Sequence, residues 1–98
     1  MWLVISYDIP SPDSAIYRKI RKIMLKSGFS FPQKSLGWKW IPSAERAEAI
    51  RKKICSETGS SGHLIFWNLP DQVFANGHCQ ENGVESNMPD IPPPWIIV

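Results

Sequence analysis

The stretch W-L-V-I-S-Y at residues 2–7, followed by Asp8, Ile9 and Pro10, decides how this chain begins to fold. Five of these six residues are apolar, aromatic or β-branched, with Ser6 as the exception, and together they predict a buried β-strand. Aspartate and proline end such a strand, and the Ser-Pro-Asp that follows at 11–13 has the composition of a turn that can also cap a helix. We therefore expect Asp8 to lie at the rim of a β-sheet.

Two helices are predicted after this strand. The first runs from Asp13 to about Lys26 with apolar residues at helical spacing and ends at Ser27-Gly28. Its other side carries bases, at Arg18, Lys19, Arg21, Lys22 and Lys26. The second helix begins after Ser43, which has the chemistry of an N-cap, and extends past Ile54.

The remaining strands complete an α/β pattern. Residues 29–41 alternate aromatic with small or polar residues, and they predict either two short strands or one bent strand with a bulge. Residues 63–69 predict another strand. The order β-α-β(β)-α-β is that of the ferredoxin-like α+β fold, βαββαβ, with both helices on one face of the sheet. We expect residues 1–69 to form this core, and a homodimer to bury the open face.

The end of the chain has no periodicity. Residues 70–94 are rich in Pro, Gly, Asn and acids, so we predict loop or tail, with a stiff proline spacer at 92–94. Residues 95–98 are apolar, and we expect them to pair as a strand with this sheet or with a partner's. These residues are the predicted partner-binding segment, which consists of Trp95, Ile96, Ile97 and Val98.

Composition and charge limit the classes of protein to which this chain can belong. A chain of 98 residues with 43% apolar content predicts one globular domain. No apolar run approaches the ~20 residues that span a bilayer, and the N-terminus lacks the basic region of a signal peptide, so we expect a cytoplasmic protein without a membrane partner. Residues 1–54 hold all 11 bases and four acids (net +7), whereas residues 55–98 hold five acids and no base (net −5). This split predicts a basic surface that binds a polyanion. The alternative is that these charges do no more than keep two helices solvated.

Asp8 is the first candidate for chemistry. A carboxylate at a sheet rim can bind Mg²⁺ or Mn²⁺, which prefer oxygen ligands. One carboxylate per chain is a poor site, but a two-fold axis close to Asp8 would bring two together. The alternative is that Asp8 hydrogen-bonds backbone N–H groups of the following turn, as aspartate commonly does.

The stretch V-I-S-Y-D-I-P at 4–10, the basic helix with Arg18 and Arg21, Gly28 and F-P-Q-K-S-L at 31–36 together resemble the CRISPR-associated "Cas-two" family. This family is the small subunit of the spacer-acquisition integrase. The resemblance covers about residues 1–69. Residues 35–37 are Ser-Leu-Gly where the family usually has Ser-Val-Phe.

The resemblance implies a homodimer in which the Asp8 pair can bind a divalent metal, Mg²⁺ or Mn²⁺, and some members of the family cut RNA or DNA there. In spacer acquisition the dimer instead bridges pairs of the integrase subunit and holds a duplex of protospacer DNA. Asp8 would then be the catalytic and metal residue, and residues 95–98 would engage the integrase subunit. The charge pattern and the resemblance together predict the nucleic-acid-binding residues Arg18, Lys19, Arg21, Lys22, Lys34 and Lys39.

Other functions stay open at this point. One is a metal-dependent endoribonuclease toxin of the virulence-associated protein D type, in which Asp8 is essential for cleavage. Another is a dimerisation module of a transcription regulator. Trp38 and Trp40 could stack on bases, although tryptophan at strand spacing more often fills a core or interface. The cysteines and histidines match no zinc-ligand spacing.

Overall fold

A computed structural model describes residues 1–10 and 14–89 of the chain. Strands and helices alternate in the order expected from the sequence, and a short helix and a hairpin follow the last strand of the core. The elements are β1 (Trp2–Asp8), α1 (Ser14–Lys26), β2 (Ser30–Gln33), β3 (Leu36–Trp40), α2 (Ala44–Thr58), β4 (His63–Leu69), α3 (Asp71–Ala75), β5 (His78–Glu81) and β6 (Val84–Asn87).

The main sheet has the strand order β2-β3-β1-β4, and its neighbouring strands are antiparallel. β1 lies between β3 and β4, so that Trp2 faces Trp40 on one side and Leu69 on the other. This is the strand order of the ferredoxin-like fold, and it confirms the predicted α+β class. Of the two alternatives for residues 29–41, two short strands are correct, with an irregular register between them.

Both helices pack on one face of the sheet. Ile20 and Met24 of α1 and Ile54 of α2 are completely buried against Leu3 and Ile5 of β1. The helices lie there because each presents one apolar stripe, and burying that stripe against an apolar strand is the largest favourable contribution available. Ser43 caps α2 as predicted, since its hydroxyl accepts a hydrogen bond from the backbone N–H of Arg46 at 3.3 Å.

The other face of the sheet carries a second, aromatic core. Phe74 of α3 stacks on Trp2 with a centroid distance of 4.2 Å and meets the edge of Trp38 at 5.2 Å. Asp71 fixes the start of α3 because its carboxylate accepts a hydrogen bond from Trp40 Nε1 at 3.2 Å. Trp38 and Trp40 therefore belong to a core, in agreement with the more common role of tryptophan in strands.

The prediction of loop or tail for residues 70–94 is wrong for residues 71–87, which form α3 and the β5–β6 hairpin. The hairpin turns at Asn82 and Gly83, whose φ angles are 53° and 82°. Positive φ at both central residues is the geometry of the tight hairpin turns that Asn-Gly favours. As a result, part of the sheet face expected to stay open in a monomer is covered by the chain itself. Residues 95–98 and the proline spacer at 92–94 lie outside the described residues.

Among the helices of the described residues, none has both the length and the apolar character needed to cross a membrane.

Candidate functional site

Asp8 is the last residue of β1, and its side chain is exposed at the rim of the sheet. Side chains alternate between the two faces along a strand, so Asp8 lies on the same face as Trp2 and Val4, away from α1 and α2. Directly across from Asp8 in the antiparallel register is His63, the first residue of β4, which is exposed as well. The rim therefore presents a carboxylate beside an imidazole.

The rim is suited to a divalent cation by residue type. Carboxylate oxygen is the ligand that Mg²⁺ and Mn²⁺ prefer, and Asp8 offers it at an accessible position. Within residues 1–10 and 14–89 no group of three or more His, Cys, Asp or Glu side chains is close enough to hold an ion. The described part of a single copy thus contributes too few protein ligands for a complete metal site, and further ligands would have to come from outside it, such as water, nucleic acid or a second copy.

The loop between α2 and β4 packs directly against this rim. Gly62 has a φ of 75°, a conformation that glycine adopts without strain. A Cβ atom at this position would contact the side chain of Ile9 and would lie 3.0 Å from the carbonyl oxygen of Asp8. Glycine is therefore required here for two reasons, and its close approach fixes the start of β4 against the end of β1.

A turn on the other side of β1 is held close to Asp8 by three donors. The carbonyl oxygen of Lys34, between β2 and β3, accepts hydrogen bonds from the hydroxyl groups of Tyr7 at 3.1 Å and Tyr17 at 2.9 Å. It also accepts one from Arg21 Nη1 at 3.3 Å. The backbone N–H of Tyr7 donates in turn to the carbonyl of Ser35 at 3.0 Å. These contacts place Lys34, whose side chain is exposed, next to the rim.

Tyr7 is the residue whose protonation responds most clearly to this arrangement. The pKa of Tyr7 is raised to about 12, chiefly by burial and next by the neighbouring Tyr17 hydroxyl, while Arg21 acts in the opposite direction and lowers it. Removing Tyr7 from water disfavours the phenolate, since a buried charge loses its hydration. The Tyr7 hydroxyl consequently stays protonated and able to donate to Lys34 throughout the physiological pH range.

The predicted nucleic-acid-binding residues do not all share one role. Arg18 and Lys22 are exposed on α1, and Lys34 is exposed in the β2–β3 turn. Lys19 forms a salt bridge of 2.9 Å with Glu57, which joins α1 to α2. Arg21 is half-buried because its guanidinium lies 4.2 Å above the Phe31 ring while donating to the turn.

Lys39 lies apart from the rim. It is paired with Leu3 near the start of β1, whereas Asp8 is the last residue of that strand. Its ammonium group is close to Gly28, just beyond the end of α1. The structure therefore brings Arg18, Lys22 and Lys34 to the region of α1 and the adjacent turn, but it does not bring Lys39 to the carboxylate. The predicted partner-binding residues 95–98 lie outside the described residues.

Sequence reasoning missed two residues of this region, Tyr17 and His63. Tyr17 packs against the core from α1, and the sequence pattern assigns it no role, yet its hydroxyl reaches the turn. His63 was considered only as a zinc ligand by spacing. Its position opposite Asp8 follows from the β1–β4 register, which no local pattern in the sequence specifies.

The fold and the rim define the class of this protein as a small ferredoxin-like α+β domain, with an exposed carboxylate where its first strand ends and a basic first helix. Comparison with known proteins agrees with the resemblance seen in the sequence. The chain belongs to the family of CRISPR associated protein Cas2, whose family model matches residues 1–76. It is also similar to the CRISPR-associated endoribonuclease Cas2 of Parvibaculum lavamentivorans, with 27% identity over 77 residues, which is 76% of each chain. The family match extends beyond residue 69 and includes α3.

Proposed function

We propose that this protein is the small subunit of a CRISPR spacer-acquisition complex in the cytoplasm. It acts as a homodimer that binds a duplex of protospacer DNA and bridges the integrase subunits, with residues 95–98 as the docking segment. The observation that carries this proposal is the basic surface made by Arg18 and Lys22 on α1 and Lys34 in the adjacent turn. Membership of the Cas2 family supports the CRISPR context.

The basic surface has the properties that duplex binding requires. Arg18, Lys22 and Lys34 are exposed, and within the described residues none of the three takes part in a salt bridge. Exposed lysine and arginine bind phosphates without reading sequence, and they release counterions from the duplex as they do so. A subunit that must accept protospacers of any sequence needs this kind of contact.

Dimerisation is supported by the part of this sheet face that the described residues leave exposed. Ile65 and Trp67 of β4 lie on the same face as Asp8, and their exposed fractions are 39% and 42%. Large apolar side chains exposed next to each other favour association, because burying them removes apolar surface from water. An interface built on this part of the face would bring the two Asp8 residues of a dimer towards the two-fold axis.

The duplex-binding proposal is tested with charge reversals on two helices. The variant Arg18→Glu/Lys22→Glu changes α1, and Lys52→Glu/Lys53→Glu makes the same charge change on exposed residues of α2. We expect the α1 variant to lose at least about tenfold in affinity for a random-sequence duplex at low salt, while the α2 variant loses less than about threefold. Fluorescence anisotropy across a salt series measures both affinities.

The salt dependence provides a second criterion. If Arg18 and Lys22 each neutralise one phosphate in both copies of the dimer, the slope of log K against log salt becomes shallower by about 4 in the α1 variant. Equal losses in the two variants would contradict the proposal, because they would show a response to net charge alone.

A second candidate function is metal-dependent cleavage of nucleic acid. It is favoured by the exposed carboxylate of Asp8 at the rim, and the P. lavamentivorans relative is named as an endoribonuclease. In this activity Asp8 would hold a divalent ion, and the ion when bound would supply Lewis-acid stabilisation of the phosphate. The Asp8→Asn variant described below separates this function from duplex binding.

A further inference from the structure

We infer that His63 is a second protein ligand at the Asp8 rim, so that each copy of the chain carries a carboxylate–imidazole half-site for a first-row transition ion. The inference deepens the proposed metal role of Asp8 and rests on it, but it is independent of duplex binding. The juxtaposition of Asp8 and His63 across the β1–β4 ladder carries it.

The first argument is the register. β1 and β4 are paired without interruption from Trp2 opposite Leu69 to Asp8 opposite His63. Directly opposed residues in an antiparallel pair project to the same face, and their Cβ atoms are separated by about 4.5–5.5 Å. At that separation an aspartate and a histidine can both reach one cation that lies above the sheet.

The second argument is rigidity. The ladder fixes the backbone of both residues, and Gly62 packs against Asp8 immediately before His63. The two ligands are therefore held at a constant backbone separation, and ion binding has to order only their exposed side chains. Ordering few groups keeps the entropic cost of binding low.

The third argument is ligand chemistry. A site of carboxylate oxygens alone suits Mg²⁺, whereas an imidazole nitrogen shifts preference towards Mn²⁺ and the later transition ions. Two half-sites related by a two-fold axis would supply two carboxylates and two imidazoles. This arrangement would complete a set of ligands that the described part of a single chain lacks.

The chain contains its own control. It has two histidines, and the second one, His78 of β5, is also exposed and also lies beside a carboxylate, with Nδ1 3.6 Å from Glu85. His78 belongs to the hairpin and not to the rim. A metal that binds any exposed histidine next to an acid would therefore affect His63 and His78 equally.

The test uses Mn²⁺ as the probe and the full-length protein labelled with ¹⁵N. We expect substoichiometric Mn²⁺ to broaden the imidazole signals of His63 and to leave those of His78 sharp. Isothermal titration should show that His63→Gln weakens Mn²⁺ binding about tenfold or more and narrows the preference for Mn²⁺ over Mg²⁺, while His78→Gln binds Mn²⁺ like the wild type. Equal broadening of both histidines, or an unchanged Mn²⁺ affinity in His63→Gln, would overturn the inference.

The Asp8→Asn variant separates this inference from the proposals on which it rests. We expect it to lose both Mn²⁺ binding and the broadening of His63, and to keep the wild-type affinity for duplex. If Asp8→Asn removes Mn²⁺ binding while His63→Gln does not, the metal role of Asp8 stands and the role of His63 fails. If neither Asp8→Asn nor His63→Gln changes Mn²⁺ binding, both the role of His63 and the metal role of the rim are wrong. The duplex affinity still tests the DNA-binding proposal separately.

Discussion

At the scale of single residues, one backbone carbonyl organises the surroundings of the rim. Lys34 O receives donors from Tyr7 on the central strand and from Tyr17 and Arg21 on α1. A carbonyl has two lone pairs, so the three donors share it, and a typical hydrogen bond contributes about 1 kcal/mol net. Arg21 is consequently a residue that positions the turn, and the exposed Lys34 side chain is what the turn presents to a phosphate.

Tyr7 links this arrangement to pH. The pKa of Tyr7 is about 12 in the folded protein and 10 as the ordinary value, so the folded state retains the hydroxyl proton when the unfolded state has lost it. The resulting contribution to stability is complete below pH 10 and is lost as the pH rises through 12. We expect the free energy of unfolding to fall by about 2 kcal/mol more in the wild type than in Tyr7→Phe across this interval. Urea denaturation at a series of pH values measures the difference.

A spectroscopic titration checks the same point. In Tyr17→Phe, Tyr7 is the remaining tyrosine, and its phenolate absorbance should still appear above pH 10 because burial is the largest cause of its shift. A midpoint at the value of free tyrosine in folded Tyr17→Phe would show that burial does not control this group.

At the scale of elements, α3 is held by one aromatic anchor. The helix has five residues and would not form alone, because short helices in water lack enough hydrogen bonds to offset nucleation. Phe74 is 2% exposed and stacks on Trp2, so its burial holds α3 against the sheet. This contact also explains why the segment after residue 69 is not a free tail.

Truncating the anchor tests how much the packing of α3 contributes. We expect Phe74→Ala to lower the free energy of unfolding by about 3 kcal/mol, since it removes a buried aromatic side chain and leaves a cavity. Val73→Ala, at an exposed neighbour in the same helix, should change stability by less than about 0.5 kcal/mol. Urea denaturation followed by tryptophan fluorescence measures both variants. If Phe74→Ala and Val73→Ala lowered the free energy of unfolding by similar amounts, α3 would not depend on its aromatic contact.

At the scale of the whole molecule, the two faces of the sheet are covered to different extents. One face is covered by α1 and α2, and the other is divided between the α3 contact and a part that the described residues leave exposed, which includes Ile65, Trp67 and the rim. The basic residues Arg18 and Lys22 lie on the helices' side, while Asp8 lies on the opposite face of the sheet. A homodimer formed through the exposed part of the sheet face would leave the basic surfaces of both copies accessible to a duplex.

The proposed dimer interface can be tested at Trp67, which lies on the exposed part of this face. Trp67→Lys places a charge where a second copy would bury an apolar ring, so we expect the dimer dissociation constant to rise about a hundredfold or more. Leu25→Lys makes the same kind of change at an exposed residue of α1 and should leave the dissociation constant unchanged. Sedimentation equilibrium measures both constants. A dimer that survives Trp67→Lys would exclude this face as the interface.

The elements that could be predicted are those whose pattern is local. The strand at 63–69 and the end of α1 at Lys26 were predicted with the bounds that the structure shows, because burial on one face imposes a period that can be read along the chain. α3 and the hairpin were missed because few apolar residues mark them. The hairpin still left one signal, Asn82-Gly83, which supplies the two positive φ angles of the turn.

The sequence by itself determined the α+β class, the order of the core elements, the basic first helix and the motifs of the Cas2 family, since each depends on neighbouring residues. Only the tertiary structure decided which distant groups meet. Asp8 faces His63 through strand register, and Lys34 O collects donors that are 27, 17 and 13 residues away. Tertiary packing likewise separates Arg21, which holds a turn, from Arg18, which is free to face solvent. Such contacts depend on how strands align and helices dock, and that alignment is a property of the whole chain rather than of any segment.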